Sequence, residues 1–183
     1  MALPGKLSHP NRYITAHDDS GKSIVDTSVP AEATFYELPN KSAAFAQCYV
    51  TSEFPVQLED SADLKVYQDF LSSPPGLTVS GGTVLRYVDM PPDSTSPMHR
   101  TLSLDYGVVL EGEVELILDS GEKRLMRRGD ICVQRATMHA WRNTSKTEWS
   151  RMLYILQPAK PMAAGGQKLE EELGTMEGVK SST

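Results

Sequence analysis

Residues 97–143 read PMHRTLSLDYGVVLEGEVELILDSGEKRLMRRGDICVQRATMHAWRN, and this stretch decides the fold. Short runs rich in Val, Ile and Leu alternate with turn signals at Gly112, Ser120-Gly121 and Gly129-Asp130. That pattern predicts consecutive antiparallel strands with tight connections: 99–110, 114–118, 123–126, 131–135 and 137–142. Two of the four histidines, His99 and His139, stand near its ends. A small β-barrel built from such strands can bring both into one interior.

Side chains along a strand point alternately to opposite faces. His99, Thr101, Ser103 and Asp105 therefore share one face, and Leu102 and Leu104 share the other. Val109 continues the first row in register, so the polar row is expected to line a cavity. In the next strand upstream, 83–89, Arg86 shares a face with Val84 and Val88. Turned inward, it would hold a carboxylate or enolate through its planar fork. Trp141 has the parity of His139 and is expected to wall the pocket. Arg100 has the opposite parity and should pair on the surface, and Tyr106 should pack on that outer side. Glu111 and Glu113 flank the Gly112 turn and are read as solvated.

Upstream, 12–16 and 22–25 read as a hairpin around Asp18-Asp19-Ser20-Gly21, with 34–38 and 43–51 as further strands. The 43–51 strand would pair with a partner subunit or cover one face of the barrel. His9 and His17 are read as solvated loop histidines. Residues 60–72 form the one good helical pattern of the first half. Ser61 is its candidate cap, Leu64, Tyr67, Phe70 and Leu71 its apolar face, and Pro74-Pro75-Gly76 its stop. Residues 149–157 make the last strand. The chain then divides into N-terminal strands and helix (1–75), barrel (76–161) and tail (162–183). The tail offers a short helix at 167–173 and is otherwise expected to fray.

The 183 residues, 39% hydrophobic and 23% charged, suit one globular domain that can bury a core without disulfides. A net charge of −6 and a pI near 5.2 argue against nucleic acid as a partner. No apolar run approaches the roughly 20 residues of a membrane span, and the first residues lack a signal-peptide core. Cys48 and Cys132 are too few for a disulfide framework, and Cys132 reads as a packed thiol. A cytoplasmic protein is expected. The surplus of N-terminal strands suggests a homodimer in which edge strands are covered.

The core stretch resembles the cupin superfamily. Its first motif has the form G-x5-H-x-H-x3,4-E-x6-G, and its second G-x5-P-x-G-x2-H-x3-N. His99 matches the first histidine, and Asp105 with Gly112 matches the acid and closing glycine. Gly129-Asp130 opens the second motif, and His139 with Asn143 closes it. The spans 99–113 and 129–143 look closest to small single-domain cupins, some of which accompany natural-product pathways. The resemblance implies an all-β double-stranded β-helix, the cupin jelly-roll barrel, with extra N-terminal strands and one or two short helices. Thr101 stands where the motif has its second histidine, Asp105 replaces glutamate, and Arg135, Ala136 and Thr137 occupy the Pro-x-Gly turn.

Many cupins hold a metal with three histidines and a glutamate. Here only His99, Asp105 and His139 remain as strong donors. They would suffice for one divalent ion (Zn, Fe, Mn or Ni) with open positions. The same residues also suit a metal-free cavity with His99, His139, Asp105 and Arg86 as catalytic groups and Thr101, Ser103, Trp141 and Arg86 against substrate. Such a cavity suits proton transfer beside a carbonyl. The expectation is a lyase of decarboxylase or dehydratase type acting on a small carbonyl- or carboxylate-bearing metabolite such as a polyketide intermediate. An iron-dependent dioxygenase and a non-catalytic ligand-binding barrel are the alternatives.

Overall fold

The computed structural model describes residues 7–182. In chain order the strands are β1 (Ile14–His17), β2 (Ser23–Asp26), β3 (Phe35–Glu37) and β4 (Ala44–Val50), followed by helix α1 (Ala62–Ser72). Then come β5 (Val84–Met90), β6 (Ser103–Glu111), β7 (Glu113–Leu118), β8 (Lys123–Arg127), β9 (Ile131–Arg135), β10 (His139–Asn143) and β11 (Ser150–Pro158). Two short strands, β12 (Ala163–Ala164) and β13 (Gln167–Lys168), close the series.

A six-stranded antiparallel sheet, in the order β3-β4-β5-β11-β6-β9, faces a three-stranded sheet in the order β10-β7-β8. Val84, Val109, Val114 and Met152 are fully buried in the shared core. β4 pairs with β3 and β5 inside the chain. The N-terminal strands β3 and β4 thus extend the same sheet as the barrel strands. No helix among the described residues is long and apolar enough to cross a membrane.

The turn signals act as expected. Gly112, Gly121 and Gly129 all adopt positive φ, which costs glycine nothing. Ala136 also lies there, at φ 51°, in the turn where the second motif carries its glycine. Asn143 is a clamp: its amide nitrogen donates to the carbonyls of Met90, Pro91 and Glu148 at 2.9–3.1 Å. The motif's closing asparagine thereby ties the end of β5 to the turn before β11.

The face of the large sheet away from the barrel interior carries an ion pair that the sequence pattern did not reveal. Asp89 of β5 and Arg151 of β11 are direct cross-strand partners. Their fork is bidentate at 2.6 and 2.7 Å, and both side chains are buried. The guanidinium lies over the rings of Phe35 and Tyr87 and also donates to the Ser8 carbonyl. His9 is likewise drawn in: it bonds Glu32 at 2.6 Å and packs on Phe35, so it is not a solvated loop histidine. His17 is exposed at the end of β1.

Several local expectations are corrected. Ser61 occupies the N-cap position but makes no capping bond, because Asp60 and Ser61 both take φ 54° and a cap needs an extended backbone. Leu64 and Tyr67 are buried on α1, while Leu71 is exposed. Tyr106 is exposed on the outer face of β6 instead of packing. His99 does not begin β6, which starts at Ser103.

The largest correction is the tail. The expected helix over 167–173 is absent. Gly165 and Gly166 both take positive φ, at 58° and 79°, and close a two-residue hairpin between β12 and β13. Beyond it the chain runs back across the barrel. Arg100 and Glu172 exchange two backbone hydrogen bonds, and Ser182 is held by Glu171 and by the Thr78 amide. At Gly76 a Cβ would stand 2.3 Å from the Ser181 carbonyl oxygen, so the tail lies flush there only because no side chain exists.

Two measurements test this arrangement. Asp89→Ala leaves Arg151 buried without its partner and should cost about 3–5 kcal/mol in urea unfolding. Gly76→Ala should unseat the tail, so that limited proteolysis cleaves within 170–182 in the variant while the parent resists.

Candidate functional site

His99 and His139 face each other across an isolated antiparallel bridge. Each amide donates to the other's carbonyl, at 2.8 and 2.9 Å. Residues directly opposite in an antiparallel pair project to the same side. The two imidazole rings consequently sit 4.2 Å apart between centroids. Each ring is oriented identically: Nδ1 lies 2.9 Å from the carbonyl two residues earlier, of Pro97 for His99 and of Thr137 for His139. A carbonyl can only accept, so Nδ1 carries the proton and Nε2 keeps its lone pair. Burial lowers the pKa of both rings. His139 is pushed down to about 3 by burial and by the neighbouring His99. Both are neutral bases at physiological pH.

The rings line a cavity that also exposes Arg86, Thr101, Asp105 and Trp141. The edge of Trp141 meets His139 with centroids 5.5 Å apart. Tyr154, Phe45, Leu77 and Leu156 supply much of the apolar wall, and Met176 reaches it from the tail. This apolar lining suits a small metabolite.

Alternation holds as expected in β6 and the residues just before it: Thr101, Ser103, Asp105 and Val109 are all buried. Asp105 pairs in register with Leu156 on one side and Gln134 on the other, in the large sheet. Burial raises its carboxyl pKa to about 7, against the opposing pull of the Ser103 and Thr101 hydroxyls and of Arg86. Its Oδ1 has no hydrogen-bond partner. Ser103 is corrected from substrate contact to support: it does not line the cavity, and its hydroxyl donates to Thr101 Oγ1 at 2.8 Å.

Arg86 is turned inward as its parity suggested and is only 3% exposed. Its Nη2 donates to the Gly76 carbonyl at 2.7 Å and weakly to Gln47 Oε1 at 3.4 Å. Its Nε has no partner.

Of the two alternatives, a metal held by His99, Asp105 and His139 or a metal-free cavity, the first would need the three side chains grouped. Among the described residues no three His, Cys, Asp or Glu side chains lie where they could share an ion. The histidines are joined at a bridge between β10 and the segment before β6, whereas Asp105 sits farther along β6 between β11 and β9. Two imidazoles alone fall short of the two-histidine, one-carboxylate donor set.

Sequence reasoning missed Tyr154 and Met176. Tyr154 shares the inward parity of Met152 and Leu156 in the last strand, so its position was available. Nothing local marks Met176.

Residues 86–156 match the family described as Cupin domain. The chain is 48% identical over 164 residues to the Phomopsin biosynthesis cluster protein C' of Diaporthe leptostromiformis, covering 90% of this chain and 86% of the relative. It is 45% identical over 174 residues to the Oryzines biosynthesis cluster protein J of Aspergillus oryzae, covering 94% and 97%. It is 41% identical over 172 residues to the cupin-domain-containing oxidoreductase fogC of Aspergillus ruber, covering 93% and 83%.

Asp105 gives a signed stability test. Its folded pKa lies above the unfolded value, so the native state binds a proton more readily between about pH 4 and 7, and stability falls as pH rises through that window. Asp105→Asn removes this cost. Urea unfolding should show the variant more stable than the parent near pH 9, with the gap closing as pH falls toward about 4.

Proposed function

This chain belongs to the cupin-domain family, and from that premise we propose that it is an enzyme of secondary metabolism that moves a proton beside a substrate carbonyl. The relatives named for biosynthesis clusters support the setting. The observation that carries the chemistry is the pair of neutral imidazoles sharing one apolar cavity with a carboxyl whose pKa is raised to about 7. A base that holds no proton and an acid that keeps one are thus present together near neutral pH.

Within the lyase class, dehydration of a β-hydroxy carbonyl compound uses both groups. The Nε2 lone pair of His139, beside the ring of His99, takes the proton α to the carbonyl. The electron pair forms the C=C bond, the β C–O bond breaks, and protonated Asp105 gives its proton to the departing hydroxyl as water. Solvent then returns a proton to Asp105 and removes one from the imidazolium. Trp141 and Tyr154 keep water from the developing enolate.

A second reading, oxidation, is favoured by four relatives named cupin-domain-containing oxidoreductases, fogC among them. It would call for a redox centre, and among the described residues the two imidazoles have no third His, Cys, Asp or Glu grouped with them. Oxygen dependence separates the two.

Turnover should be followed under nitrogen with a panel of β-hydroxy ketones and acids, by the absorbance of the conjugated product. Activity should persist without oxygen, and His139→Ala should lower it by about 10²–10⁴-fold. The kcat/KM profile should rise with pH through about 3 as His139 loses its proton and fall near 7 as Asp105 ionises, and Asp105→Asn should lack that fall. Stoichiometric oxygen uptake, or full turnover in His139→Ala, would sink the reading.

A further inference from the structure

Arg86 and Phe45 each line two hollows. One is the cavity of the imidazole pair. The other is bordered by Tyr36, Pro74, Pro75, Val179 and Lys180. We propose that the second hollow is a carboxylate subsite: it takes the acid end of the substrate whose carbonyl lies against His99 and His139, and in that it rests on the function proposed above.

Arg86 is a buried cation whose hydrogen bonding is incomplete. A guanidinium stays charged in proteins and has five N–H donors. Arg86 is 97% removed from solvent, yet it satisfies only one carbonyl well, and its Nε is buried without a partner. No carboxylate bonds to it among the described residues. Asp105 exerts only a through-space influence, and burial favours its neutral form. A buried cation left this way is costly unless an anion joins it. The planar fork matches a carboxylate in two parallel hydrogen bonds.

The rest of the hollow fits the same ligand. The Tyr36 ring borders it, and Arg86 is among the groups that act on the Tyr36 phenol. Lys180 borders it too, its ammonium donating to the Pro74 carbonyl at 3.0 Å. The ring of Phe45 lies 5.4 Å from the guanidinium carbon and borders both hollows, and Pro74, Pro75 and Val179 offer hydrocarbon. The ligand class is therefore a monocarboxylate with an apolar chain, a hydroxy or oxo acid in the reacting substrate. Because Val179 and Lys180 belong to the tail, that segment is one wall of the subsite.

The test is titration calorimetry of the full chain with octanoate and with octanamide, which has the same shape and no charge. Octanoate should bind at least about tenfold more tightly. Tyr36→Phe and Lys180→Met should each weaken octanoate roughly twofold to fivefold and leave octanamide unchanged. Arg86→Met, if circular dichroism shows it folded, should bind the two alike. Equal affinities in the parent, no heat at millimolar octanoate, or undiminished selectivity in the Tyr36→Phe/Lys180→Met double variant would overturn the subsite. The His139→Ala variant keeps the two readings apart, since it should lose turnover and retain the preference for octanoate. Turnover without selectivity defeats the subsite alone. Selectivity without turnover of any β-hydroxy carbonyl compound defeats the reaction alone.

Discussion

The structure depends on one reciprocal pair of backbone hydrogen bonds, in which His99 and His139 each donate to the other's carbonyl. The bridge binds the segment before β6 to β10, and so joins the large sheet to the small one at the cavity wall. Because the pair is antiparallel, both imidazoles leave the backbone on the same side. Because each Nδ1 is occupied by a carbonyl, both present Nε2. Position, orientation and tautomer follow from backbone geometry.

The electrostatics have a single cause with two signs. Removal of water penalises charge, so the same apolar walls lower the histidine pKa values and raise that of Asp105. Acid and base diverge without needing to touch. Trp141, Tyr154 and Leu156, which supply the apolar lining, thereby set the protonation states as well as the shape. Arg86, which cannot lose its proton, bears the same desolvation with its hydrogen bonding incomplete.

Two features hold this polar interior in place from outside. On the far face of the large sheet, Asp89 and Arg151 lock β5 to β11, the strands that carry Arg86 and Tyr154. Over the barrel, the tail is fastened at Arg100, Gly76 and Thr78, and it delivers Met176 to the cavity. Both are long-range contacts. Ser8 meets Arg151, and Ser182 meets Thr78, across most of the chain.

The amino-acid order by itself determined what depends on neighbours in the chain. The period of two marked His99, Thr101, Ser103 and Asp105 as one inward row and turned Arg86 and Trp141 the same way. The glycines placed the turns, because few other residues accept positive φ. Even the β12–β13 hairpin was written in Gly165-Gly166, although the charged run after it suggested a helix. What only the tertiary structure decided is what depends on distance between strands. Parity says that His99 and Asp105 face one interior, but the strand pairing puts the first beside His139 and the second between Leu156 and Gln134, so no shared metal set forms. Parity is likewise silent on whether a polar tail returns to close a cavity. That return rests on a missing Cβ at Gly76 and on partners roughly a hundred residues away, and contacts of that range leave no periodic trace in a sequence.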